Sequence, residues 1–192
     1  NYDSFTYNLV HYITNITRCD IDVFYNDKIE LKQIATYDKI LLSPGPGLPN
    51  EAGILKQLIE KYAATKNILG VCLGLQAIAE VFGGTLQNLE EVYHGIASDI
   101  YVTKKNEVLF QDIPTTFKAG RYHSWIADKK TLPKCLEITA EDKNGQIMAL
   151  RHQTYNVRAV QFHPESILTE FGQQMIHNCL LYTSDAADER NS

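Results

Sequence analysis

The stretch Asn67-Ile68-Leu69-Gly70-Val71-Cys72-Leu73-Gly74-Leu75-Gln76 constrains this chain more than any other. Its first half is a short apolar run that reads as a buried strand. Directly after it, Leu75, Ile78, Ala79 and Phe82 recur at helical spacing. A strand that turns at once into a helix belongs to an α/β protein. Cys72 falls on that turn, between two glycines that let the backbone fold tightly and a substrate come close. This is the nucleophile-elbow pattern with sulfur in place of the serine oxygen. The start of a helix behind the sulfur favours thiolate, the form that attacks carbonyls. A buried structural thiol suits the same apolar setting, and the segment alone leaves both readings open.

The rest of the first half alternates helical and extended patterns. A helix is expected from about Ser4 to Ile16, a strand at Ile21, Val23 and Tyr25, and a strand at Lys39–Leu42 ending in Ser43-Pro44-Gly45-Pro46-Gly47. A helix from about Ala52 to Thr65 precedes the Cys72 strand. Alternating β and α units predict a mostly parallel sheet flanked by helices. The second half reads differently. Cys135–Thr139 and Ile147–Leu150 flank Asn144-Gly145, a hairpin turn. A further strand is expected over Val157–Phe162 and a last helix from about Thr169. The fold class is therefore α/β, with an antiparallel hairpin extension.

No repeat or flexible linker divides the 192 residues, which suit one domain. The net charge of −5 carries no Lys/Arg-rich stripe, so nucleic acid and acidic membrane surfaces are poor partners. No apolar run has the length of a membrane span, and the polar N-terminal residues lack the apolar core of a signal peptide. Cys19, Cys72, Cys135 and Cys179 are widely spaced without a CxxC, which fits reduced thiols in the cytoplasm rather than disulfides or a metal site. Both ends look unusual. The opening Asn-Tyr-Asp-Ser turn leads straight into a helix, as if an apolar first strand were missing. Tyr182 to Ser192 is polar and patternless, and the run from Cys179 to Glu189 looks like a translated adapter. The expected division is a domain over 1–178, short of its first strand, and a non-native or disordered tail over 179–192.

A thiolate that attacks a carbonyl needs a proton-transfer partner and a place for negative charge. His163 ends the Val157–Phe162 strand, next to Pro164. Glu165 lies two residues on, on the same face of an extended chain. A carboxylate there can orient the imidazole and stabilise its charge, the third role of a triad. A histidine at a strand end is also often a plain hydrogen-bonded group. The Ser43–Pro49 loop is stiffened by prolines, and its glycines leave N–H groups unobstructed for an oxyanion. It also reads as a rigid turn. Neither GxGxxG nor GxxxxGK[ST] occurs, so nucleotide use is unsupported.

Asn1-Tyr2-Asp3-Ser4-Phe5-Thr6-Tyr7-Asn8-Leu9-Val10, Ser43–Gly47, Gly70–Gly74, His94-Gly95, Tyr122-His123-Ser124 and Gln161-Phe162-His163-Pro164-Glu165-Ser166 occur here in one order. In that order the chain resembles class I glutamine amidotransferases, in particular the glutaminase subunits of anthranilate synthase and aminodeoxychorismate synthase. The resemblance covers nearly everything up to about Asn178. It implies a flavodoxin-like fold and a Cys72–His163–Glu165 triad. It further implies oxyanion donors at the amides of Gly47 and Leu73, and glutamine contacts from Gly45, Pro46, Gly47, Gln76, Ser124 and the backbone of Trp125. No cofactor or metal is implied in this subunit. The implied partner is a chorismate-using synthase subunit, making anthranilate for tryptophan or, as the alternative, aminodeoxychorismate for folate. Leu75 stands where histidine is common in the anthranilate type, and Ile96 and Trp125 replace a usual lysine and leucine. Another cysteine hydrolase, such as a γ-glutamyl hydrolase, and a non-catalytic interaction module are the remaining alternatives.

Overall fold

The computed structural model describes residues 1–17 and 20–188; Cys19 lies outside them. In chain order the elements are α1 (Thr6–Thr17), α2 (Leu31–Ile34), β1 (Lys39–Leu42), a 3-10 turn (Pro49–Glu51), α3 (Leu55–Tyr62), β2 (Asn67–Val71) and α4 (Leu73–Val81). They continue with β3 (Leu86–Asn88), β4 (Ile96–Val102), a second 3-10 turn (Val108–Phe110), β5 (Thr116–Arg121), β6 (Trp125–Ala127), β7 (Leu136–Asp142), β8 (Ile147–His152), β9 (Val157–Val160) and α5 (Gly172–Asp188).

Seven strands form one sheet in the order β1-β2-β9-β8-β7-β4-β5, and β3 and β6 form a small antiparallel pair. The sheet has two characters. β1, β2 and β9 run parallel, with Leu42 opposite Gly70 and Val71 opposite Val160. From β9 onward every neighbour is antiparallel. The expected hairpin is β7–β8. Its loop closes with the Gly145 amide on the Asp142 carbonyl, and Gly145 has the positive φ of 73° that makes glycine the natural residue there.

Apolar side chains fill both faces of the sheet. On one side α3 and α4 pack Leu58, Ile59, Leu75 and Ile78 against Leu42, Ile68, Leu150 and Val157. On the other, Leu9 and Ile13 of α1 and Met175 and Ile176 of α5 meet Leu69, Val71, Ile100, Phe117 and Phe162. Helix α4 is buried over Leu73–Ala79, as a helix hydrophobic on all sides must be.

Two expectations need correction. The segment around Ile21–Tyr25 alternates like a strand but joins no ladder. Alternation makes a strand only where another strand offers its N–H and C=O groups, and β1, the edge of the sheet, lies across an apolar cleft of about 550 Å³ that α1 also lines. The segment is held by its rings instead. Tyr25 stacks on Tyr2 at 4.2 Å, Phe24 meets the edge of Tyr37, and the Tyr37 hydroxyl donates to Asp22 at 2.5 Å. The long helix expected from Ala52 is the shorter α3, preceded by a 3-10 turn that starts on Pro49.

Candidate active site

The parallel register assembles the site. Because β1, β2 and β9 run the same way, the residues that follow each of them meet at the carboxyl ends of the strands. These are the Ser43–Gly47 loop, Cys72, and the run from Gln161 to Glu165.

Cys72 occupies the elbow between β2 and α4. Its φ and ψ are 53° and −100°, a left-handed conformation that costs a non-glycine residue about 1–3 kcal/mol. The surroundings enforce it. The Cys72 amide donates to the Val160 carbonyl at 2.8 Å, and the glycines on either side let α4 press against the strands. A Cβ on Gly74 would lie 2.7 Å from the Leu42 carbonyl oxygen, and one on Gly70 would lie 2.7 Å from the Gly74 backbone. The sulfur's residue is 5% exposed.

His163 is fixed from several directions. Its amide donates to the Gly120 carbonyl at 3.0 Å, and its own carbonyl accepts from the Thr169 hydroxyl at 2.6 Å. Phe5 and Tyr122 pack against the ring at 5.2 and 4.8 Å between centroids. Nδ1 meets Glu165 Oε1 at 2.7 Å. A carboxylate only accepts, so the Nδ1 proton stays there and Nε2 is the atom left for chemistry. Nε2 is buried and faces the Cys72 sulfur. Burial alone lowers the basicity of this imidazole, but the Cys72 sulfur and the Glu165 carboxylate outweigh it and raise the pKa from 6.5 to about 10. At neutral pH the site therefore holds an imidazolium beside the sulfur.

The expected oxyanion and glutamine-binding residues are placed unevenly. Leu73 is the first residue of α4, and its amide is one of the four that no helix can satisfy internally. Gly45 packs on Leu73, with room for no Cβ: one would lie 2.8 Å from the Leu73 side chain. Pro46 lines a small cleft with Leu73. Gly47 has φ of 71° and lies beneath the Glu51 carboxylate, which accepts the Leu48 amide at 2.8 Å. Gln76 donates to the Trp125 carbonyl at 2.8 Å, which joins two of the expected glutamine contacts directly. Ser124 is half-buried beside them, with its carbonyl accepting from the Leu89 amide. Leu75 is fully buried among apolar side chains.

Sequence reasoning gave no role to Gln161, Arg121, His123, Phe5 or Tyr122. Gln161 is 0% exposed and its side-chain nitrogen lies 3.5 Å from Cys72 Sγ. The signal was present, since Gln161 stands between Val160 and Phe162 at the end of a strand, where burial of a polar group must be satisfied.

A strained cysteine, a histidine and a carboxylate at the ends of parallel strands define an α/β protein of the glutamine amidotransferase type. The family model for class-I glutamine amidotransferases matches residues 1–182, and the chain belongs to that family. It is 44% identical over 180 residues to the aminodeoxychorismate/anthranilate synthase component 2 of Bacillus subtilis, covering 93% of this chain and 91% of that protein. It is 41% identical over 198 aligned positions to the anthranilate synthase component 2 of Pseudomonas aeruginosa, covering 100% of this chain and 97% of the relative. A Thermoplasma acidophilum structure assigned as one subunit of a GMP synthase superposes with a TM-score of 0.81 over 95% of this chain and 92% of its own, at 23% identity, and shares the fold.

Proposed function

We propose that this chain is the glutaminase component of anthranilate synthase, releasing ammonia from glutamine for a chorismate-using partner subunit. The observation that carries the reading is the buried His163–Glu165 pair, whose imidazole interacts with the sulfur of a cysteine in a strained elbow. The imidazolium favours the Cys72 thiolate, which attacks the side-chain amide carbon of glutamine. The resulting oxyanion is received by the amides of Gly47 and Leu73, each such donor contributing about 3–4 kcal/mol. As the C–N bond breaks, Nε2–H gives its proton to the departing nitrogen, and ammonia leaves. Nε2 then takes a proton from water, whose oxygen attacks the γ-glutamyl thioester. The C–S bond breaks, giving glutamate and restoring the thiolate.

Glutamine is held by Gly45, Pro46, Gly47, Gln76, Ser124 and the backbone of Trp125. No cofactor takes part in this subunit. Ammonia released into water is mostly protonated and a poor nucleophile, so a glutaminase of this kind delivers it to a bound synthase subunit. The reaction belongs in the cytoplasm, where its thiol stays reduced. A folate-pathway role, with aminodeoxychorismate as the partner's product, is the second reading, because the B. subtilis relative is named for both syntheses.

Cys72→Ser should abolish glutamine-dependent synthesis by the reconstituted complex and leave ammonia-dependent synthesis intact. Retained glutaminase activity in that variant would overturn the assignment of Cys72. Assaying the pair with an anthranilate-forming and then an aminodeoxychorismate-forming partner separates the two pathways.

A further inference from the structure

A line of buried polar groups runs from Arg121 to the Cys72 sulfur, and its direction is fixed at every step. Arg121 is 1% exposed, bonded to Asp142 at 2.8 Å and Gln146 at 2.7 Å, with the Tyr93 ring over its guanidinium at 3.5 Å. Its Nε–H donates to His123 Nε2 at 3.1 Å. A guanidinium only donates, so His123 Nε2 accepts and the imidazole proton sits on Nδ1. Burial, then the Arg121 charge, pushes His123 down to about 3, which keeps it in this neutral form. Nδ1–H donates to the Trp125 carbonyl at 3.1 Å, and Gln76 Nε2 donates to the same oxygen at 2.8 Å.

That carbonyl can only accept, which orients the Gln76 amide. The same Gln76 nitrogen reaches Gln161 Oε1 at 3.4 Å. The oxygen of Gln161 is thereby turned toward Gln76, and its nitrogen toward Cys72 Sγ at 3.5 Å.

We propose that Gln161 is a further catalytic residue, whose side-chain N–H donates to the Cys72 sulfur and stabilises the thiolate before attack and again as the thioester breaks. The proposal rests on the reading of Cys72 as nucleophile. An amide does not titrate in this range, so its donation persists while His163 Nε2 gives up and regains a proton. A hydrogen bond to an ionised acceptor is also the stronger kind, so the contact favours thiolate over thiol. Gln76 belongs to the glutamine-binding set as well, but the shorter bond to the Trp125 carbonyl holds it whatever stands at position 161.

Gln161→Glu keeps the shape and places an oxygen where the N–H faced the sulfur. Gln161→Met removes both polar ends without burying a charge, and covers the case in which Gln161→Glu does not fold. The probe is iodoacetamide at neutral pH, with Cys72 modification followed as loss of glutaminase activity. Thiolate is read directly from its far-ultraviolet absorbance after subtracting the Cys72→Ser protein. The same subtraction cancels the half-buried thiols of Cys135 and Cys179.

The expected result is a roughly tenfold slower alkylation, a smaller thiolate band and a lower kcat with KM little changed. Folded variants that alkylate and absorb like the parent protein would overturn the role of Gln161 while leaving the glutaminase reading in place. If alkylation of the unmodified chain leaves glutaminase activity intact, the reading of Cys72 falls, and this proposal with it.

Discussion

At the residue scale, Cys72 shows how stability is given up at a reactive position. Its backbone lies where glycine is comfortable and cysteine is not. Cys72→Gly should therefore raise stability by about 1 kcal/mol, the relief of strain exceeding the loss of one small buried side chain, while abolishing activity. Urea denaturation checks this, and a less stable glycine variant would mean the elbow is not strained. His163 illustrates a different point. The sequence placed it at a strand end beside a carboxylate, and the structure adds the two aromatic rings and the backbone contacts that fix its orientation. Those contacts come from the turn before α1, the residue that follows β5 and the segment after β9, and no local pattern announces them.

At the element scale, the joint between β2 and α4 is set by close backbone approach. By intrinsic preference, alanine in a helix is better than glycine by about 1 kcal/mol. Gly74→Ala should nevertheless destabilise the protein, by about 1–3 kcal/mol, because its Cβ would meet the Leu42 carbonyl at 2.7 Å. The sign of the change in the urea midpoint separates the two effects, and a stabilised variant would show that α4 has room to move. Elements with strong internal patterns were legible: α1, β1, β2, α4 and the β7–β8 hairpin stand close to where periodicity and turn residues put them. The strands β3 to β6 were not. β3 and β6 are short and β4 is mostly exposed, and their side chains are sorted by neighbours distant in sequence, so no clean alternation marks them. The Ile21–Tyr25 segment fails in the opposite direction, with alternation but no ladder.

At the scale of the whole molecule, two buried histidines bend stability with pH in opposite directions. His123 has its pKa lowered to about 3, so the unfolded chain takes up a proton at pH 6.5 that the folded chain refuses. Its contribution is complete above pH 6.5 and is lost as pH falls from there toward 3. His163 is raised to about 10, so its contribution is complete below pH 6.5 and is lost as pH rises through 10. Urea midpoints measured across pH should peak near neutrality. A His123→Gln variant should show a shallower fall between pH 6.5 and about 3, and an unchanged acid slope would count against the burial of a neutral imidazole there. Activity should also decline near pH 10, as His163 loses the proton it gives to ammonia; a pH–rate profile still flat above that pH would exclude this role.

By itself the sequence determined the α/β class, the elbow around Cys72, the pairing of His163 with Glu165 and membership of an amidotransferase family. The first three rest on short-range order: turn residues, helical spacing and side chains two residues apart; the family rests on the resemblance carried by six motifs in one order along the chain. The tertiary structure alone decided that the sheet turns antiparallel beyond β9, that Gln161 meets the sulfur, and that Arg121 orients the groups between them. Those contacts join residues far apart in the chain, and burial gives them their force, because a polar group removed from water must find its partner wherever the fold has brought one.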